Sequence, residues 1–192
     1  MGIEYELKFK ATALKQQAIR ADHPGAWQSI AMETTYYDTP DGSLTQLRYT
    51  LRRRFENGVS VCTVKTPGSG ADRGEWEVIC DAIEEAVEKL CKLGAPKALL
   101  TLTQTGLLPV CGARFNRQAL TVEIPGGIAE LALDQGIFFA GDREKPFCEV
   151  EVEWKSGPKD ATTQFAQQLA QKHQLRTEKK SKFKRARALR EE

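Results

Sequence analysis

Period-two alternation of apolar and polar residues runs through most of this chain. Ile3, Tyr5, Leu7 and Phe9 alternate with Glu4, Glu6 and Lys8, the spacing of a strand with one apolar face. Residues 34–37 predict a short strand that ends at Asp38-Thr39-Pro40-Asp41-Gly42. Residues 47–55 and 59–66 predict a hairpin around Asn57-Gly58, a dipeptide suited to a tight turn of two left-handed residues. Alternation resumes over 73–80, and further strands are expected at about 113–124, 128–134, 136–141 and 146–155, with Pro125-Gly126-Gly127 as a turn. Helical spacing occupies 12–22, 81–93 (Ile83, Val87 and Leu90, with Gly94 as the stop), 96–106, 160–173 and 178–190. No repeat, low-complexity tract or linker divides the sequence. The pattern predicts one α+β domain over 1–192 with about eight mostly antiparallel strands.

The polar faces of these strands carry mostly charge. Residues of equal parity share a face, which groups Glu4, Glu6 and Lys8; Arg52 and Arg54; Lys65; Arg73, Glu75 and Glu77; Arg117 and Glu123; Glu130 and Asp134; and Glu149, Glu151 and Glu153. The opposite faces carry Leu51, Val64, Trp76, Val78, Leu131, Leu133, Val150 and Val152. A sheet with one buried and one solvated face accounts for any single strand. Taken together, however, acidic strands stand apart from basic ones, and like charges crowd at i, i+2, where they repel. The apolar helices suffice to cover the outside of a closed sheet, which leaves a barrel with a charged interior. Divalent cations would neutralise its carboxylates, a compact polyanion its arginines and lysines, and Mg²⁺ and Mn²⁺ prefer oxygen ligands.

Composition narrows the classes. The 28 Lys+Arg stand against 26 Asp+Glu, a net charge of +2. This balance counts against a protein that coats nucleic acid, but not against one that encloses a small polyanion with metal ions. No segment approaches the ~18 apolar residues of a membrane span, and the first residues lack the apolar run of a signal peptide, so no membrane partner and a cytoplasmic location are expected. The five cysteines form no C-x-x-C pair and read as reduced thiols. His23 and His173 lack zinc-hydrolase spacing and a neighbouring nucleophile, and no glycine-rich phosphate loop occurs.

In chain order, Glu4-x-Glu6-x-Lys8, Tyr36-Tyr37-Asp38-Thr39-Pro40, Leu51-Arg52-x-Arg54, Thr63-x-Lys65, Arg73-x-Glu75, Arg117, Glu130-x-x-x-Asp134, Glu149-x-Glu151 and Ser181-Lys182 resemble the signature of the CYTH superfamily, the triphosphate tunnel metalloenzymes. Residues 117–136 and 147–157 are similar to its bacterial inorganic triphosphatases. The resemblance implies a closed eight-stranded antiparallel tunnel, one or two Mg²⁺ or Mn²⁺ ions, and hydrolysis of inorganic triphosphate to pyrophosphate and phosphate. By position, Arg52, Arg54, Lys65, Arg117 and Lys182 would grip phosphate oxygens, joined by Lys8, Arg73 and Arg185. Glu4, Glu6, Asp134, Glu149 and Glu151 would hold metal directly or through water. Glu4, Glu6 and Lys8 would serve the in-line attack of water on a terminal phosphorus, with Glu130 as an orienting residue or auxiliary base. Thiamine triphosphate and nucleoside triphosphates are alternative substrates; class IV adenylyl cyclase and a non-catalytic polyphosphate-binding module are alternative functions. Glu77, Glu123 and Glu153 are read as structural. Arg53 replaces the apolar residue usual between the two arginines and points outward, as a surface charge or a contact in a homodimer.

The segment 176–192 holds eight basic residues against three acidic ones. Such a tail suits nucleic acid, yet Leu175, Phe183, Ala186 and Leu189 have the spacing of a docked helix. The docked reading is preferred: a helix over about 178–190 that closes the tunnel and delivers Lys182.

Overall fold

The computed structural model describes residues 2–68 and 73–190, with side chains over 5–68 and 74–190. The chain opens with β1 (Gly2–Glu4), β2 (Glu6–Lys10), α1 (Ala13–Asp22) and β3 (Gln28–Asp38). A short α2 (Ser43–Gln46) leads into the hairpin of β4 (Thr50–Glu56) and β5 (Val59–Pro67), followed by β6 (Arg73–Ile79), α3 (Ile83–Lys92) and α4 (Ala98–Leu102). Three long strands, β7 (Leu108–Ile124), β8 (Gly127–Ala140) and β9 (Arg143–Ser156), precede α5 (Lys159–Lys172), β10 (Arg176–Thr177) and α6 (Lys182–Ala188).

All the strands join one antiparallel sheet in the order β1-β6-β5-β4-β3-β7-β8-β9-β2-β10. The closed eight-stranded barrel is not what forms. Among the described residues no ladder joins the two ends of this order, and the sheet has ten segments, or nine strands when β1 and β2 count as one run broken at Tyr5. The reason lies in how that first run divides its pairings. Its first three residues bond to β6 and its next five to β9, while β10 takes the remaining edge at Phe9 and Lys10.

Local chemistry explains where the other elements start and stop. Asn57 and Gly58 adopt φ of 49° and 88°, the left-handed pair that lets β4 and β5 turn back on each other. The strands expected at 128–134 and 136–141 are instead the single strand β8. Gly136 does not mark a turn: a Cβ there would lie 2.1 Å from the Arg114 carbonyl oxygen, so glycine permits close backbone contact between β7 and β8. Similarly, β3 extends well beyond 34–37 because it pairs with β7 from Gln28 to Asp38. The last helix is shorter than 178–190 and starts after Ser181, whose hydroxyl accepts from the Lys184 amide.

Helices cover the apolar outer face of the sheet. From α3 and α4, Ile83, Val87, Leu90 and Leu99 pack onto Leu51, Val64 and Trp76. From α1 and α5, Ile19, Ala166 and Leu169 pack onto Leu131, Leu133, Val150 and Val152. A third cluster lies on the inward parity. There Phe115, Phe138 and Phe147 extend the same strand faces as Arg117, Asp134 and Glu149, and Phe183 and Ala186 of α6, with Leu189 just after it, dock on them. No helix among the described residues is long and apolar enough to cross a membrane. Leu131 is fully buried under α1 and α5, so Leu131→Ala is expected to cost about 2–5 kcal/mol in urea unfolding. Ile79→Ala, at a side chain left 73% exposed, should stay within about 0.5 kcal/mol of the parent.

Candidate active site

The inward faces enclose a cavity of about 280 Å³. Lys8, Arg52, Arg54, Lys65, Arg117, Lys155 and Lys182 line it together with Glu6, Glu56, Glu75, Glu77, Glu130, Glu151 and Glu153. Strand order sorts these charges. Arg52 and Arg54 on β4 and Lys65 on β5 form one side, while Glu130 on β8, Glu151 and Glu153 on β9 and Glu6 on β2 form the other. On the basic side, Glu75 lies 3.2 Å from Lys65 and 3.7 Å from Arg52. Arg54 has a harder environment: burial, then the charges of Arg52 and Arg117, pull its pKa below the usual arginine range. The guanidinium groups of Arg52 and Arg54, together on the inward face of β4, favour an anion that enters beside them.

The acidic side continues inward into a trio. Asp134, Glu149 and Glu151 offer carboxylate oxygens that all lie within 4.8 Å of one another, and all three residues are buried. Register makes this crowding unavoidable. Asp134 stands directly opposite Glu149, and Glu130 opposite Glu153, whereas the small Ala132 faces Glu151 and leaves room for its carboxylate. Cations from other elements compensate. Arg117 on β7 donates from Nε and Nη2 to both oxygens of Asp134 at 2.8 Å, and Nη2 also reaches Glu151. Lys182 of α6 places Nζ 2.8 Å from Asp134 and 2.6 Å from Glu151, and bonds Glu149 as well. Arg185, one helical turn on, pairs with Glu149 and stacks over Phe138 at 4.7 Å.

These contacts set the protonation of the trio. Burial alone would raise Glu151, but Lys182 and Arg117 hold it well below the ordinary carboxylate range. Burial wins at Glu149 and shifts it upward against the pull of Lys182, with Glu151 adding like-charge repulsion. At Lys8 burial opposes the charge, but Glu6 and Glu151 outweigh it and raise the pKa; its Nζ donates to Glu6 at 2.8 Å. The trio fits a divalent cation by its chemistry: three carboxylates offer an oxygen-only donor set. In this structure Lys182, Arg117 and Arg185 together supply the positive charge beside the three carboxylates.

The sequence-derived site residues separate into groups. Glu6, Lys8, Arg52, Arg54, Lys65, Arg117, Glu130, Glu151 and Lys182 line the cavity, and Asp134 and Glu149 form the trio with Glu151 just behind it. Arg185 is not on the cavity wall but braces Glu149. The side chains of Glu4 and Arg73 lie outside the described residues; their backbones pair across β1 and β6. Glu77 and Glu153, read as structural, both line the cavity, Glu153 in a 2.9 Å pair with Lys155. Lys155 and Glu56 were missed, although each continues the parity of recognised residues on its own strand. Gln16 left no such signal. From α1 outside the sheet, its Nε2 donates at 2.9 Å to the carbonyls of both Asp134 and Glu149, tying the strands together at the trio. Arg53 points away from the cavity, donates to the Asp81 carbonyl and stacks on Phe55. All five cysteines are free. Lys182→Met would strand buried carboxylates, and a loss of about 3–5 kcal/mol is expected in urea unfolding without added metal.

Comparison with known proteins extends this picture. The CYTH domain model matches residues 2–186. An inorganic triphosphatase of Haemophilus influenzae is 32% identical over 162 residues, which span 82% of this chain and 46% of that protein. The chain thus spans about half the length of this curated relative. Among solved structures, a Hippeastrum protein described as a putative adenylyl cyclase with a dominant triphosphatase activity superposes with a TM-score of 0.65 at 19% identity, over 98% of this chain and 96% of its own. A Pyrococcus horikoshii protein gives a TM-score of 0.64 at 21% identity, over 93% and 94%. At these identities the two structures share the fold. The family match over nearly the whole chain and the 32% identical relative place this protein in the CYTH domain family.

Proposed function

We propose that this protein is a metal-dependent hydrolase that cleaves inorganic triphosphate to pyrophosphate and phosphate, as a single domain whose α6 closes one end of the cavity. The observation that carries the reading is the presence, on two sides of one cavity, of Arg52, Arg54 and Lys65 and of Glu6, Glu130 and Glu151, with Arg117 bonded to the acidic side. The name of the Haemophilus relative supports the same reaction.

The roles follow from what each side chain is free to do. Arg52 and Arg54 present planar forks suited to bidentate phosphate contacts, and Lys65 adds a point charge beside them. Together they would hold the anion and neutralise charge that develops on the leaving pyrophosphate. Asp134, Glu149 and Glu151 would hold Mg²⁺ or Mn²⁺, with Glu4 and Glu6 as further ligands, directly or through water. When bound, such a cation supplies Lewis acidity toward phosphate oxygens and toward water. Among the described residues the Glu6 carboxylate bonds only Lys8, and it faces the cavity, which suits it to orient water and accept its proton. Glu130, 3.8 Å from both Arg117 and Lys155, would keep that cationic edge in place. Lys8 would steady Glu6, and Lys182 and Arg185 would balance the trio.

The decisive assay is phosphate release from inorganic triphosphate, thiamine triphosphate, ATP and pyrophosphate, each with Mg²⁺, Mn²⁺ or EDTA. Inorganic triphosphate should be the preferred substrate, and EDTA should abolish release. No metal-dependent release from any of the four rejects the hydrolase, and cyclic AMP formed from ATP would establish the cyclase in its place. Glu6→Gln is expected to lower kcat by about 10²–10⁴-fold with little change in anion affinity. Arg52→Ala should raise the Kd for triphosphate and also lower kcat by about 10²–10³-fold. Equal behaviour of the two variants in binding would contradict the assigned roles. In a thermal shift measurement, Mn²⁺ should raise the Tm of the parent protein but not of Glu151→Gln.

A further inference from the structure

Beside the central cavity lies a second chamber of about 390 Å³, between the turn that enters β4, the end of β5 and the helix α6. Arg48, Lys180, Lys184 and Arg187 line it with Tyr49, Thr45 and Thr66. Its charge balance differs from that of the central cavity. There, seven cationic residues face seven carboxylates; in the second chamber four cations line the wall and no carboxylate does, among the described residues. None of these four side chains has an ion-pair partner among the described residues. The two cavities share Thr50, Ser181 and Phe183, so a chain leaving the arginine face past these residues meets positive charge only.

We propose that this chamber is a subsite for the additional phosphates of a linear polyphosphate longer than three units. The inference rests on the triphosphatase reading for the position of the first three phosphates. The chemistry of the lining selects a polyanion over the neutral body of a nucleoside. A base would need a free aromatic face and matched donors and acceptors, but Tyr49 packs into the core formed by α3, β4 and β5, and Phe183 is buried against Tyr36. Four cations in a concavity with no carboxylate among the described residues instead raise the local concentration of phosphate groups and are relieved of mutual repulsion when these bind. Three of the four come from the basic C-terminal segment, so the charges of that segment gain a role besides holding the trio.

The test replaces Arg48, Lys184 and Arg187 together by Gln, which removes charge and keeps a long side chain over the same surface. Calorimetry in EDTA, where metal-dependent turnover cannot compete, compares binding of triphosphate, tetraphosphate and long-chain polyphosphate to the parent and triple variant. The parent should bind the longer chains more tightly than triphosphate. The triple variant should lose about tenfold or more in affinity for them, about 1.4 kcal/mol, and less than about twofold for triphosphate. Parallel losses for all three anions, or equal parental affinity for all three, would overturn the subsite. Lys184→Gln alone should give a smaller loss of the same length dependence, which keeps the outcome readable if the triple variant unfolds. If triphosphate binds without being hydrolysed when metal is restored, the hydrolase reading fails while the length dependence still decides the subsite.

Discussion

The fold depends on neutralising carboxylates that β-sheet register forces together. Asp134 and Glu149 face each other across β8 and β9, with Glu151 one inward position further along, and all three are removed from water. Burying even one unpaired charge costs several kcal/mol, so this arrangement exists only because Arg117 and Lys182 arrive from other elements. Arg117 comes from the neighbouring strand, where its planar fork matches both oxygens of Asp134. Lys182 comes from the last helix, more than thirty residues further along the chain from Glu149 and Glu151. The interaction therefore ties the C-terminal helix to the middle of the sheet, and completing the charge balance is inseparable from completing the fold.

The inverted packing of the sheet follows from the same constraint. With charge on the concave face, the apolar parity must turn outward and find cover, and α1, α3, α4 and α5 supply it. At one end of the inward face Phe115, Phe138 and Phe147 form an apolar layer that receives α6. This aromatic layer does two things at once. It gives the short helix a hydrophobic seat, and its rings lie under Lys182 and Arg185 at 4.7–5.9 Å, which holds both cations against the acidic trio. Packing energy thereby positions charge.

Function grows out of the asymmetry that remains. Toward β9 the carboxylates meet their cations within the protein, while toward β4 burial, with the neighbouring arginine charges added to it, lowers the pKa of Arg54. On the proposed reading, a triphosphate with a divalent cation would answer both sides: carboxylate oxygens would ligate the metal, and guanidinium groups would donate to the phosphate oxygens. The neighbouring chamber has four cations along α6 and the turn that enters β4 and, among the described residues, no carboxylate on its wall.

Much of this was legible from residue order. Parity along each strand separated Arg52, Arg54, Lys65, Arg117, Glu130, Asp134, Glu149 and Glu151 from Leu51, Val64, Leu131, Leu133, Val150 and Val152, because side chains of a strand must alternate faces. Asn57-Gly58 specified its hairpin through the left-handed backbone that glycine and asparagine tolerate. Parity does not say what stands opposite. Only the assembled sheet decided that Gly136 is a point of close strand contact, that Lys155 and Glu153 reach the cavity, and that the first run of the chain splits its bonds between β6 and β9. Gln16 shows the difference most plainly: a polar residue on a helix has no strand parity, and its role at the carbonyls of Asp134 and Glu149 exists only once α1 lies across them. The sequence by itself determined which faces are charged, a property of the covalent chain and its two-residue repeat. The tertiary structure decided which charges meet, since register and helix docking bring together groups far apart along the chain.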